Sequence, residues 1–362
     1  MRNLVTGRKA LLAGLLGAVA AILTALALLQ LQGVKERVPG PVAEKLATNA
    51  PWETAQNHSP PGNEMSASSE RTAAPSGENR RDLSENGRPE LADLESEVRR
   101  ISASHRGEYG VVVWRPGSES KVTLRSGERF ESASLAKLPV LLALYREAEQ
   151  GRLSLDERIE IKPSDVQSGT GELKNRPPGT TITLRECAKH LMKESDNTAW
   201  AMLEDRLGYD RIRSEIASAG ARSTNYEYAK HSTTPGDTLK MLRKISDPGY
   251  TSPRYSRQML GYTTGTSFES WMPQGLPPEV RISHKIGILG DSFADAGIVY
   301  PPEGEGSRKP YYVVVLARDT TEPQARAAMQ EISLASYRHL VDSEAEPRSE
   351  RRGLQALSDQ RQ

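Results

Sequence analysis

Cysteine occurs once in the 362 residues, at Cys187. That excludes an intramolecular disulfide framework, and without a CxxC pair there is no thiolate zinc site and no dithiol redox couple. The six histidines are scattered, with no HExxH or other ligand spacing, so the sequence implies neither a metal nor a cofactor. An excess of one charge is lacking too. Forty-eight Lys+Arg stand against 47 Asp+Glu, which removes the basic surface that nucleic-acid binding through phosphates requires. Neither G-x-x-x-x-G-K-[ST] nor G-x-G-x-x-G is present, so phosphate-cradling loops are missing as well. Hydrophobic residues make up only 36%, while there are 23 prolines and 29 glycines. A chain of that composition carries segments that do not pack.

The deficit is local. Residues 10–34 hold no charge and are mostly Leu and Ala; as a helix they would span roughly 37 Å, enough for a ~30 Å hydrocarbon core. Ala25-Leu26-Ala27 offers a signal-peptidase site, yet Leu28, Leu29 and Leu31 prolong the apolar run beyond it. Residues 1–34 are therefore read as a membrane anchor, with a cleaved secretory signal as the alternative. The rest of the chain is then expected outside the cytoplasm, in the cell envelope or, after cleavage, secreted. Between residues 39 and 89 lie seven prolines and only Val42, Leu46, Trp52, Met65 and Leu83 as large apolar side chains. Residues 35–89 read as a disordered linker, and the charged residues 343–362 as a disordered tail.

Residues 90–342 read as one folded domain. Helical spacing runs over 91–101, and β-branched runs at 110–114 and 121–124, joined by Pro116-Gly117, predict an antiparallel hairpin. Helices are predicted over 135–150, over 184–192 behind a Thr183-x-x-Glu186 capping box, over 198–207 ending at Gly208, and over 235–245 behind Thr234. Strands return only at 281–289, 296–300 and 311–316, before a last helix over 323–340. Strands from both ends of the domain are expected to share one antiparallel sheet, with a helical insertion between them and a cleft at the boundary.

A nucleophilic serine needs a base beside its hydroxyl, and a lysine three residues later on a helix lies on the same face. Two S-x-x-K matches occur. Ser118 and Lys121 fall in the predicted hairpin turn, where no rigid element would hold them, and are assigned to chance. Ser134-Leu-Ala-Lys137 opens an apolar helix whose dipole would favour developing negative charge; its bland alternative is a helix cap. Ser195-Asp196-Asn197 follows 61 residues later in a break between helices, where it too could be a cap. Lys285-Ile286-Gly287 comes a further 90 residues on, in a strand, where glycine lets a ligand approach the backbone. His284 would point to the opposite face from Lys285, and Cys187 is read as a core residue.

In this order the three segments resemble the class A β-lactamase and penicillin-interacting serine hydrolase superfamily, whose signature is S-x-x-K, S-D-N and K-T-G. Residues 135–140, 151–156, 178–184, 234–237 and 294–299 extend the resemblance across about 90–340. It implies an α/β (α+β) fold, with an antiparallel five-stranded sheet flanked by helices and an all-helical subdomain beside it. It further implies Ser134 as the acylated nucleophile and Lys137 as its proton acceptor. Lys137 would be driven toward the neutral form by burial and by Lys285. Ser195 would pass the proton to the leaving nitrogen. Asn197 would bind the substrate's side-chain amide, and Lys285 would attract a substrate carboxylate. The backbone N–H groups of Ser134 and Ile288, the latter just after Gly287, would form the oxyanion hole.

Two departures stand out. Ile286 replaces the hydroxyl residue of K-T-G, and no E-x-x-L-N, whose glutamate activates the deacylating water, lies between Asn197 and Thr234. Glu172, Glu215 and Glu227 are the glutamates weighed for that role. Three functions remain open: a β-lactamase; a membrane-tethered penicillin-binding or D-Ala-D-Ala peptidase type of cell-wall enzyme with slow deacylation; and a non-catalytic binding domain.

Overall fold

The computed structural model describes residues 88–228, 230–302 and 309–342. The expected anchor, linker and tail lie outside them, apart from the last two linker residues. Among the described residues, no helix is long and apolar enough to cross a membrane.

Helix α1 (Arg88–Ser104) leads into the hairpin β1 (Glu108–Trp114) and β2 (Val122–Leu124), antiparallel as expected. After the two-residue β3 (Phe130–Glu131), a 3-10 turn (Ala133–Ala136) feeds helix α2 (Lys137–Glu149), which is buried along most of its length. Strands β4 (Arg158–Glu160) and β5 (Thr181–Thr183) pair. Thr183 then caps α3 (Leu184–Lys193), its hydroxyl accepting from the Glu186 N–H and Glu186 reaching back to the Thr183 N–H. Cys187 is fully buried on this helix, and burial pushes its thiol up, as suits a core residue.

Asp196 caps α4 (Asn197–Leu207). Gly208, at φ +78°, both ends α4 and begins α5 (Tyr209–Ser218). The sequence reading took Gly208 only as a stop and so missed α5. It also missed the hairpin β6 (Asn225–Glu227) and β7 (Lys230–Thr233). Thr234 caps α6 (Pro235–Ser246), and α7 (Pro253–Tyr262) follows. Three long strands, β8 (Arg281–Leu289), β9 (Ser292–Tyr300) and β10 (Tyr311–Arg318), precede α8 (Glu322–Tyr337).

The main sheet runs in the order β2-β1-β10-β9-β8, all neighbours antiparallel. Chain-early strands therefore pair with chain-late ones, with Val112 opposite Val314, and everything from β3 to α7 is an insertion. Alternation along each strand divides the side chains between two cores. Val112, Ala296, Ile298, Val314 and Leu316 pack against the insertion with Leu138, Leu141 and Leu142 of α2. Val111, Val113, Val299, Val313 and Val315 pack with Leu94 and Val98 of α1 and Met329 and Ile332 of α8. Each such aliphatic side chain contributes roughly 1.5–3 kcal/mol on full burial. The sheet is thus a wall shared by both cores, and the site lies where its free edge, β8, meets the insertion.

Candidate active site

Ser134 sits in the 3-10 turn ahead of α2, anchored by the buried neighbours Leu135 and Ala136. The preceding Ala133 is held at φ +43°, a conformation that costs a non-glycine residue about 1 kcal/mol or more and persists only where surroundings impose it. Those surroundings include β8. A Cβ on Gly287 would fall 2.9 Å from the Ser132 carbonyl oxygen and 3.2 Å from the Ser134 nitrogen. Only glycine there lets the strand close on the Ser134 turn.

Lys137, one helical turn on, is fully buried. Its Nζ lies 3.3 Å from Ser134 Oγ, 3.1 Å from Ser195 Oγ and 2.8 Å from Asn197 Oδ1, and it also donates to the Ser195 carbonyl. An ammonium has three protons for these four oxygens. A neutral amine that keeps two N–H bonds turns its lone pair to a hydroxyl instead, which is what a base for Ser134 requires. Burial, reinforced by the charge of Lys285, holds Lys137 well below the usual lysine range; Asp196 and Glu204 oppose this only in part.

Ser195 bridges the two lysines. Its backbone adopts φ +54°, and its Oγ lies 2.9 Å from Lys285 Nζ as well as 3.1 Å from Lys137 Nζ. A hydroxyl that accepts from both lysines retains its own proton for a third atom in the cleft. Lys285 also donates to the Ile286 carbonyl at 2.8 Å. Burial lowers it to about 7 against a raising influence from Asp295. His284 faces elsewhere, as expected: it pairs with Asp295 at 2.9 Å and approaches Thr266 and Glu269, and against the lowering effect of complete burial Asp295, with Glu269, raises it to about 9.

Asp196 and Asn197 fix this arrangement. The Asp196 carboxylate accepts from the Ala199 N–H and from the Leu173 N–H, both at 2.8 Å, so its cap role and its place in the site are one role. Asn197 donates to the Ser168 carbonyl at 2.8 Å. Added Cβ atoms on Gly169 and Gly171 would strike Asn197 at 2.6 Å and Asp196 at 2.1 Å, so the 168–173 loop packs directly on the motif. His190, Glu194 and Asp196 cluster within 4.8 Å, yet both Asp196 oxygens are already used and Arg176 lies 3.4 Å from the His190 ring.

The strand pattern fixes the direction of the backbone N–H groups along β8. The His284 N–H points off the sheet edge to the Thr263 carbonyl at 2.7 Å. Alternation then puts the N–H of Ile286 and of Ile288 on that same free edge. The Ile286 carbonyl, reached by Lys285, agrees. Ile288 thus presents its N–H beside the Ser134 turn, and its side chain is exposed. The Ile286 side chain is buried with the α1–α8 core.

The three glutamates weighed as water activators have other partners or lie exposed. Glu215 accepts from the Tyr250 hydroxyl, Glu227 is exposed at the β6–β7 tip, and Glu172 bonds Asn175 Nδ2 at 3.1 Å. The sequence reading overlooked Glu204, whose carboxylate acts on Lys137. It lies seven residues after Asn197 on α4, two turns along the same face, and that spacing was the available signal. Trp200, on that face too, sets its ring 4.9 Å from Lys137 Nζ. Ser118 and Lys121, by contrast, serve their turn: Ser118 Oγ bonds the Ser120 carbonyl at 3.0 Å and Lys121 lies over Trp114.

A serine beside a buried lysine, with a second serine bridging to a second lysine at a sheet edge, defines a serine hydrolase of the S-x-x-K type. Residues 93–340 match the family model for the Beta-lactamase enzyme family, and the chain belongs to that family. A β-lactamase of Bacteroides uniformis is 23% identical over 261 residues, 64% of this chain and 86% of its own. Among solved structures, PBP-A superimposes at TM-score 0.64 with 24% identity over 68% of this chain and 96% of its own. A β-lactamase from Sphaerobacter thermophilus does so at 0.63, with 23% identity over 71% and 99%. The α+β fold with its five-stranded sheet is that of these neighbours.

Proposed function

We propose that this β-lactamase-like serine hydrolase opens β-lactam amides through an acyl-enzyme on Ser134. The observation that carries the reading is the contact of Lys137 Nζ with both Ser134 Oγ and Ser195 Oγ in a buried setting beside Lys285, which together hold Lys137 low. Neutral Lys137 takes the Ser134 proton as Oγ bonds the carbonyl carbon. The oxygen's developing charge is met by the N–H groups of Ser134 and Ile288, each such donor being worth about 10²–10³ in rate. As the C–N bond breaks, Ser195 passes its proton to the nitrogen and regains one from Lys137. Lys285 supplies positive potential for an anionic carboxylate on the substrate, and Asn197 Nδ2 is a donor for its side-chain amide. A mutant of PBP-A has been solved as an acyl-enzyme with penicillin G, which supports acylation by such compounds in this architecture.

The surroundings of Glu172, Glu215 and Glu227 favour a second reading on the same site: acylation followed by slow release, as in a cell-wall peptidase type of enzyme. Intact mass of the protein over time after adding benzylpenicillin tests both. A Ser134-dependent adduct is expected, and its lifetime separates the readings; no adduct and no hydrolysis, or the same adduct on Ser134→Ala, would overturn them. Residues 10–34 we propose as a membrane anchor, supported by 25 consecutive uncharged residues. Appearance of the expressed full chain in a soluble fraction would contradict it.

A further inference from the structure

We propose that Trp200 is a positioning residue that keeps water off Lys137 and so sets the lifetime of the acyl-enzyme. The proposal rests on the Ser134 acyl-enzyme reading. Four sides of Lys137 Nζ meet oxygen, from Ser134, Ser195 twice and Asn197. Another is faced by the Trp200 ring, whose centroid is 4.9 Å away. A water placed in line between amine and ring would need about 6 Å, a hydrogen bond plus a van der Waals contact. The ring therefore occupies the position from which a water could use Lys137 as its base.

The indole is held in that pose from behind. Its Nε1–H donates to the Tyr226 hydroxyl at 2.9 Å, which donates in turn to Glu204. The Tyr209 hydroxyl reaches the other Glu204 oxygen at 3.4 Å. His231 of β7 packs at a tilt against both aromatics, 5.2 Å from Trp200 and 4.4 Å from Tyr226. The polar edge of the indole is thus turned from Lys137 and its π face toward it. That face favours a cation but offers no hydrogen-bond acceptor with which to orient a water. Deacylation requires a water oxygen to bond the acyl carbon, its proton to pass to a base, the carbon–Oγ bond to break and Ser134 Oγ to take a proton back. With the indole in place, Lys137 can serve as that base only by giving up one of its oxygen partners.

The full chain is acylated with benzylpenicillin, and acylation and deacylation rates are followed separately by intact mass. For Trp200→Ala we expect deacylation at least about tenfold faster, part of the ~10²–10⁴-fold that a general base contributes, with acylation within about threefold of wild type. Trp200→Phe, which keeps an aromatic face but loses the Nε1–H bond to Tyr226, should bring the rate most of the way back toward wild type. Tyr226→Phe, which removes the hydroxyl hydrogen bond to Glu204 and weakens the indole's anchor, should give an intermediate one. A purely structural role would lower acylation instead of speeding release. Trp200→Ala adducts that clear no faster than wild type would overturn the proposal. If Trp200→Ala does not acylate, an unchanged lifetime in Tyr226→Phe overturns it. No adduct on wild type removes the Ser134 reading, and this one with it.

Discussion

Lys137 has oxygen on one side and carbon on the other. The oxygen side is assembled from three distant segments, Ser134, Ser195 with Asn197, and the Lys285 strand, and nearly every donor there has an acceptor. The carbon side is Trp200 backed by Tyr226 and His231. The first wall is built to move a proton between hydroxyls and amines, and the second admits no such traffic. On the proposed chemistry, acylation and release are two steps at one carbon, and the two walls act on them separately.

The sharpest break in the polar wall is Lys137→Ala, which leaves Ser134 without a base. Acylation should fall about 10²–10⁴-fold; a rate within tenfold of wild type would remove Lys137 from the role. Lys285→Met sharpens the comparison through pH. Lys285 is one reason Lys137 is held low, so removing that cation makes protonated Lys137 more favourable and raises its pKa. The rising limb of acylation rate against pH should move to higher pH; a shift to lower pH would contradict the coupling. Gly171→Ala attacks the support beneath both walls, since its Cβ would overlap Asp196 at φ +104°. A loss of about 2–4 kcal/mol in urea unfolding is expected. Smallest of all, Glu172→Gln and Glu227→Gln should change hydrolysis by less than about twofold, because both carboxylates are already engaged or exposed; a large loss would place water activation there.

The polar wall was legible because its residues sit where local structure also needs them. Ser134 precedes a strongly apolar helix, Asp196 is a cap, and Gly287 is a glycine in a strand, so each left a mark. What joined them was the resemblance, since no periodicity connects positions 61 and 90 residues apart. The aromatic wall left no such mark. Trp200 and His231 come from a helix and a hairpin, and the sequence between β6 and β7 holds no Asn-Gly or Asp-Gly that would announce it. Strands of three and four residues are too short for alternation to show. Glu204 was readable in principle from its helical spacing, but a lone glutamate on an exposed-looking face gives no hint of the tyrosines that bury it.

The pairing of β1 with β10 also sets a timetable. Glu108 and Arg318, joined as an ion pair, are 210 residues apart in the chain. At ribosomal rates of ~5–20 residues per second, β1 leaves the ribosome roughly 10–40 s before its partner. Through that interval the valines of β1 have no strand beyond β2 to pair with, and the finished sheet can assemble only when synthesis is almost done. A chain cut short just after β9 would carry Ser134, Lys137, Ser195 and Lys285, every group of the proposed chemistry, and still lack the strand that ties the β8–β9 pair to the start of the domain.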